Sequence, residues 1–149
     1  MSNAPITVPS TELTQDEKAY AGLAHALMMA TWWIGPLVVY LTKKESRFVA
    51  FHSLQALLWQ VIYTVVVFGG MIVFFVFTLT ETIAVPTQSS VPSPPPIAIF
   101  IAFPFLWLFL MAGAAITLIF GIMYCLKAMR GEWAGYPVIG RWAQKIVGL

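Results

Sequence analysis

Residues 48–79 read FVAFHSLQALLWQVIYTVVVFGGMIVFFVFTL, and the reading of this stretch decides the fold. The 33 positions between Arg47 and Glu81 contain no Asp, Glu, Lys or Arg. As a helix they rise about 50 Å, more than the roughly 30 Å of a bilayer's hydrocarbon core. The first part carries His52, Ser53, Gln55 and Gln60, and the second part, 61–79, is aliphatic and aromatic. The spacing predicts one long helix over 48–80 that starts at the membrane interface and then spans, with Gly69-Gly70 as a weak point.

Working outward, the 24 positions between Lys18 and Lys43 are also uncharged. They predict a first transmembrane helix over 19–41, kinked where Gly35-Pro36 interrupts it. If that break makes the helix re-entrant, the N-terminus moves to the other side. Residues 97–126 are uncharged again and predict a third helix, with Pro104 kinking it or marking its start. Between them, the prolines and serines of 82–96 exclude helix and predict a solvated loop. Pro137 can open a last helix over 137–148. There Val138, Trp142 and Ile146 share one face and Arg141 and Lys145 another, the pattern of a helix lying in the interface. Residues 1–17 are polar, contain Pro5 and Pro9, and read as a disordered tail, not as a signal peptide.

The expected fold is therefore all-α: a polytopic membrane protein with three transmembrane helices and a short C-terminal interfacial helix, in one membrane domain, 18–149. Composition agrees. Of the 149 residues, 60% are apolar and 9% charged, where a soluble domain needs roughly a quarter charged. A net charge of +2 is too small to indicate nucleic acid. Cys125 is the single cysteine, so no intramolecular disulfide can form. With three crossings, Lys43, Lys44 and Arg47 lie on the same side as Lys127, Arg130, Arg141 and Lys145, and Lys18 alone lies opposite. The positive-inside rule then makes that basic side cytoplasmic, with the N-terminus and the 82–96 loop outside.

Four constellations can carry function. His52, Gln55, Trp59 and Tyr63 fall on one narrow face of the second helix. A polar stripe there faces other helices or a wet cavity: either a ligand site or path, or a set of interhelical hydrogen bonds. His25 and His52, as neutral imidazoles on apolar helices, can be packed residues or axial ligands of a haem iron or chlorophyll magnesium. No cofactor is demanded by the sequence, and a pigment or haem is the one class these residues admit. Gly113, Thr117 and Gly121 repeat every four residues and form a helix-packing face, used internally or by a partner. The basic residues Lys43, Lys44, Arg47, Lys127 and Arg130 anchor the cytoplasmic flank, and Lys127–Trp133 can also dock a soluble partner or anionic headgroups. The usual enzyme motifs are missing from the chain: it has no HExxH, no GxSxG, no phosphate-binding glycine loop and no paired Cys/His metal spacing. No acidic residue lies within an apolar span, which argues against a carboxylate-based proton pump.

Three blocks carry a family resemblance. They are Leu23-Ala24-His25 with Gly35–Lys44, then Phe48–Leu57, then Leu126–Trp133 closing with Tyr136-Pro137. In this order they resemble a family of small bacterial membrane proteins similar to the twenty-kilodalton membrane component of the chloroplast inner-envelope import translocon. The resemblance covers the chain except 1–17 and 82–96. Leu58 departs from it, standing where many members carry Asn. It implies three helices, a bacterial cytoplasmic membrane and, through the plastid relatives, protein translocation.

Three functions follow as expectations. The first is a non-enzymatic accessory subunit of a larger membrane assembly, contacting lipid, other subunits or its own copies. The second is a transport or protein-translocation component. The third is a pigment- or haem-carrying subunit of a photosynthetic or respiratory complex.

Overall fold

The computed structural model of the chain describes residues 12–84 and 97–149. The expected 82–96 loop and tail 1–17 lie mostly outside them. Their described edges are helical: 82–84 end one helix and 15–17 open another. The helices are α1 (Gln15–Thr31), α2 (Ile34–Lys43), α3 (Arg47–Ala84), α4 (Ile97–Met129) and α5 (Ile139–Val147), with no strand among the described residues.

Two of these helices, not three, are long and apolar enough to cross a membrane: α3 over Arg47–Thr80 and α4 over Phe100–Met129. The core helix of a soluble protein passes the same length test but is mostly buried. Here none of α3's most apolar window and 11% of α4's is buried inside the protein. Those side chains need lipid as their solvent.

The expected first span is instead two short helices. Proline 36 explains the break. Its ring cannot sit beside the carbonyl of residue 32 in a continuous helix, and the chain breaks at Trp32, whose φ is 60°. Pro36 then falls in the first turn of α2, where its missing N–H costs nothing. α2 runs back along α1: Gly35 lies against Thr31 and Leu27, Val39 packs with Ala24 and Leu27, and Lys43 sits 4.6 Å from the Tyr20 ring centroid. A Cβ on Gly35 would overlap Thr31 Oγ1 and Leu27 Cβ, so only glycine closes this hairpin.

The chain divides into two units. One takes the described residues up to Ile62 together with Thr117–Leu149, and the other is Tyr63–Ile116. The second unit pairs the later part of α3 with the earlier part of α4. The Tyr63 hydroxyl donates to the Leu110 carbonyl at 3.3 Å, Gly113 lies against the Tyr63 ring, and Phe74 meets Phe103 at 6.3 Å between centroids. α4 stays helical through Pro104. Outward-facing side chains such as Val65, Phe68, Val73 and Phe105 are 60–69% exposed in the protein, a surface for acyl chains.

The first unit gathers α1, α2 and α5 around the start of α3 and the end of α4. The close approach of α1 to α4 uses two glycines: Gly22 against Met129 and Gly121 against Met29. α1 starts on a capping box, with Glu17 N–H donating to Thr14 Oγ1 (3.2 Å) and Thr14 N–H to Glu17 Oε2 (2.9 Å). The same carboxylate accepts from Ser46 Oγ at 2.7 Å, and Gly131 lies against Lys18 and Leu13. The start of α1 therefore shares one end of this unit with the α2–α3 turn and the end of α4. This corrects the expectation that the N-terminal side lies opposite the basic loop, because the α1–α2 turn reverses the chain. All eight Lys and Arg residues belong to this unit.

The Ser46 hydrogen bond, then the Thr14 contacts, hold the Glu17 carboxyl below its ordinary 4.5. A depressed carboxyl contributes stability above its unfolded pKa and loses it as pH falls through the folded one. Acid should therefore loosen the α1 start against the α2–α3 turn. In detergent titrations run from about pH 6 to about pH 3, Glu17→Gln should be less stable than wild type at the upper end and show a flatter slope.

Candidate functional site

After α4 the chain cannot continue as helix, because Gly131 adopts φ +80° and closes a Schellman turn. Its N–H donates to Ala128 O (2.9 Å) and that of Glu132 to Lys127 O (3.0 Å). Residues 132–136 then run without helix or strand along the first turns of α3. Their backbone groups lack ladder partners, and burying them without partners would cost free energy. Side chains on α3 and α4 supply those partners. His52 Nε2 donates to Glu132 O at 3.1 Å, Gln55 Nε2 to Ala134 O at 3.4 Å, and Tyr124 OH to Gly135 O at 3.0 Å. Gln55 Oε1 accepts from Tyr136 N–H at 2.6 Å.

A second set of bonds ties this segment to α1. Tyr136 OH lies 2.9 Å from His25 Nδ1, and His25 Nε2 lies 3.1 Å from His52 Nδ1. The donor sense follows by elimination. A carbonyl only accepts, so His52 Nε2 carries a proton, and its Nδ1 accepts when the ring is neutral. His25 Nε2 therefore donates, and His25 Nδ1 accepts from the phenol. The result is one directed chain, Tyr136 to His25 to His52 to the Glu132 carbonyl, closed when both imidazoles are neutral. His25, His52 and Gln55 are 0% exposed and Tyr136 is 2% exposed. Burial, with Tyr124 and Cys125 beside it, pushes the Tyr136 phenol well above its ordinary value, so it stays a donor. Phe48 and Phe51 pack edge-on to His52 and shield it.

The predicted residues divide accordingly. His25, His52 and Gln55 meet in this network. Trp59 borders it: its indole donates to Thr117 Oγ1 at 3.0 Å and its ring packs on Phe120 and Tyr136. Tyr63, predicted on the same face, belongs to the other unit. Of the packing face, Gly113 meets Tyr63, Thr117 accepts from Trp59 and Gly121 meets Met29, so all three pack inside the chain. Both ring nitrogens of both histidines are engaged, so an axial bond to haem or chlorophyll would have to displace one of these partners. Of the basic residues, Lys43 lies over Tyr20 and Lys127 over Tyr124, Arg130 reaches Glu132 at 4.0 Å, and Lys44 and Arg47 are exposed.

Sequence reasoning missed Tyr136 and Tyr124 as members, and the role of Gln60. Gln60 Nε2 donates to Met28 O at 2.8 Å, tying α3 to the last turn of α1. It also missed the capping box, although Thr14 and Glu17 stand three apart before an apolar run.

The family comparison gives these apolar helices and this hydrogen-bonded network a setting. The model of the magnetosome magnetite crystal formation protein family, MamF/MmsF, matches residues 16–143. The chain belongs to that family. No curated protein and no solved structure matches it. Membership overturns the resemblance to the import-translocon component and removes the support it lent to the translocation reading. The three blocks that carried the resemblance are the segments that meet in this unit: His25 from the first, His52 and Gln55 from the second, Glu132 and Tyr136 from the third. The magnetosome family match runs from the first turn of α1 to the middle of α5 and so includes every residue of the network.

Val138, which precedes α5, sits at φ 66° although it is β-branched and 56% exposed. Left-handed backbone is strained for such a residue. Val138→Gly should raise stability by on the order of 1 kcal/mol in a detergent unfolding titration.

Proposed function

We propose that this protein is a small, non-enzymatic structural subunit of the magnetosome membrane that acts in magnetite crystal formation through its fold and its contacts. One observation carries this reading. The polar side chains His25, His52, Gln55, Tyr124 and Tyr136 of the first unit are spent on one another and on the backbone of 132–136. They satisfy an irregular segment and offer no free nucleophile, base or ligand. The 82–96 segment supports the same reading, since it contains no Asp, Glu, His or Cys with which to hold iron. In this proposal no cofactor is needed, and the basic end of the first unit faces the cytoplasm by the positive-inside rule.

The test is complementation of a deletion strain with wild type, His25→Ala, His52→Asn and Gln55→Leu. Protein in isolated magnetosome membranes is quantified, and crystal dimensions are measured by electron microscopy. Crystal size should track the amount of folded protein across the series. A variant present at wild-type level whose crystals match those of the deletion would assign chemistry to the missing group and overturn the structural role. An absorption spectrum of the purified protein checks the cofactor statement, since a Soret or chlorophyll band would contradict it.

A further inference from the structure

α5 presents three different stripes. Ile139, Gly140 and Ala143 are buried against the protein, with Ala143 on Phe51 and Leu54. Trp142 and Ile146, 50% and 60% exposed, form a second stripe, continued by Val138. Arg141 and Lys145 form a third and are both exposed. At 3.6 residues per turn these stripes follow one another about 80–100° apart around the axis. The helix therefore has protein on one side, an uncovered apolar strip next to it and a cationic strip beyond.

We propose that α5 binds the headgroups of anionic phospholipids: Arg141 and Lys145 pair with lipid phosphates while Trp142 and Ile146 enter the acyl boundary beneath them. Charge complementarity argues for this occupant. Residues 133–149 contain these two cations and no Asp or Glu, so nothing on the segment neutralises them internally. The apolar strip separates a lipid from an acidic soluble partner. An acidic polypeptide would satisfy the cations and leave the indole and isoleucine in water, whereas an anionic lipid satisfies both strips at once. The inference stands independently of the role in crystal formation, because it rests on the sides of one helix.

The experiment uses full-length protein in nanodiscs of phosphatidylcholine alone and of phosphatidylcholine with phosphatidylglycerol, comparing wild type with the double variant Arg141→Gln/Lys145→Gln. Phosphatidylglycerol retained after extraction into mild detergent is counted by native mass spectrometry. Wild type should be enriched in phosphatidylglycerol, and the double variant should lose that enrichment about tenfold or more. Arg141→Lys/Lys145→Arg should keep it, as should Lys43→Gln/Lys44→Gln on the α2–α3 side. Equal enrichment in wild type and the double variant overturns the proposal. So does the absence of enrichment in wild type, including the case where polyglutamate binds wild type but not the double variant, which would assign the surface to an acidic protein. Both exchanged residues are exposed, and unchanged circular dichroism verifies that the variant is folded.

Discussion

Gln55→Leu should lower the stability of the detergent-solubilised protein by about 2–4 kcal/mol and free the 131–149 segment to proteolysis well before the helices unfold. The glutamine is wholly buried. Its amide N–H groups reach the Phe51 and Ala134 carbonyls, and its oxygen takes a hydrogen bond from the Tyr136 N–H. Leucine keeps the approximate volume and removes them all, leaving the Ala134 carbonyl and the Tyr136 N–H without their partner. An ordinary hydrogen bond contributes little net, because water would replace it in the unfolded chain. A buried backbone group left with no partner costs its full desolvation, and here two are stranded together. The Tyr136 N–H matters most, since its bond is the shorter of the two at 2.6 Å and its residue also holds His25. Trp59→Phe is the comparison, because it gives up a single bond, the indole's donation to the Thr117 hydroxyl, and strands no backbone group. Unfolding followed by far-UV circular dichroism, with mass mapping of early cleavage sites, reads both effects. A Gln55→Leu protein as stable as wild type, with an uncut C-terminal segment, would mean that water or other groups already serve this backbone.

How much of this was legible in the sequence varies with the range of the interaction. The uncharged stretches of α3 and α4 announced themselves, because a bilayer imposes length and composition on every spanning residue. His52 and Gln55 were also legible as a pair, since a polar stripe on an apolar helix must face something polar. What they face was not. Their partners are main-chain groups about 80 positions away, and a carbonyl has no sequence signature. Tyr136 stands beside a proline after a charged turn, and nothing local in the sequence ties it to His25. The α1–α2 hairpin was misjudged for a local reason. Counting uncharged residues between Lys18 and Lys43 measures whether a helix can span, and it is blind to a reversal. Gly35 and Pro36 carried the signal: proline forbids continuation past residue 32, and glycine lets the returning helix close on Leu27. Read together they indicate a turn, where either alone indicates a kink. That turn also brings Lys18 to the end where the α2–α3 turn and the end of α4 carry Lys43, Lys44, Arg47, Lys127 and Arg130.

Gly140→Ala should be the most damaging single-methyl addition in the C-terminal segment, costing about 1–3 kcal/mol and loosening α5 without disturbing the spans. A Cβ at this position would lie 2.7 Å from Gly135 Cα and 3.0 Å from Gly135 C. Both are backbone atoms, and neither can rotate away as a side chain would. Gly135 is fixed in turn, since its carbonyl takes the Tyr124 hydroxyl and its neighbours Ala134 and Tyr136 bond to Gln55. Relief can come only by moving the start of α5 outward, which uncovers Ile139 and Ala143 from their contacts with Tyr136 and Phe51. Gly22→Ala also meets a close atom, Met129 Cγ at 2.7 Å, but that is part of a flexible side chain. It should therefore be milder, by on the order of 1 kcal/mol or less. The ranking of the two is the prediction, and paired unfolding titrations measure it. If Gly22→Ala proves the worse, the packing of α1 on α4 is stiffer than the fold around Gly135, and the 132–136 segment is not the rigid element on which α5 rests.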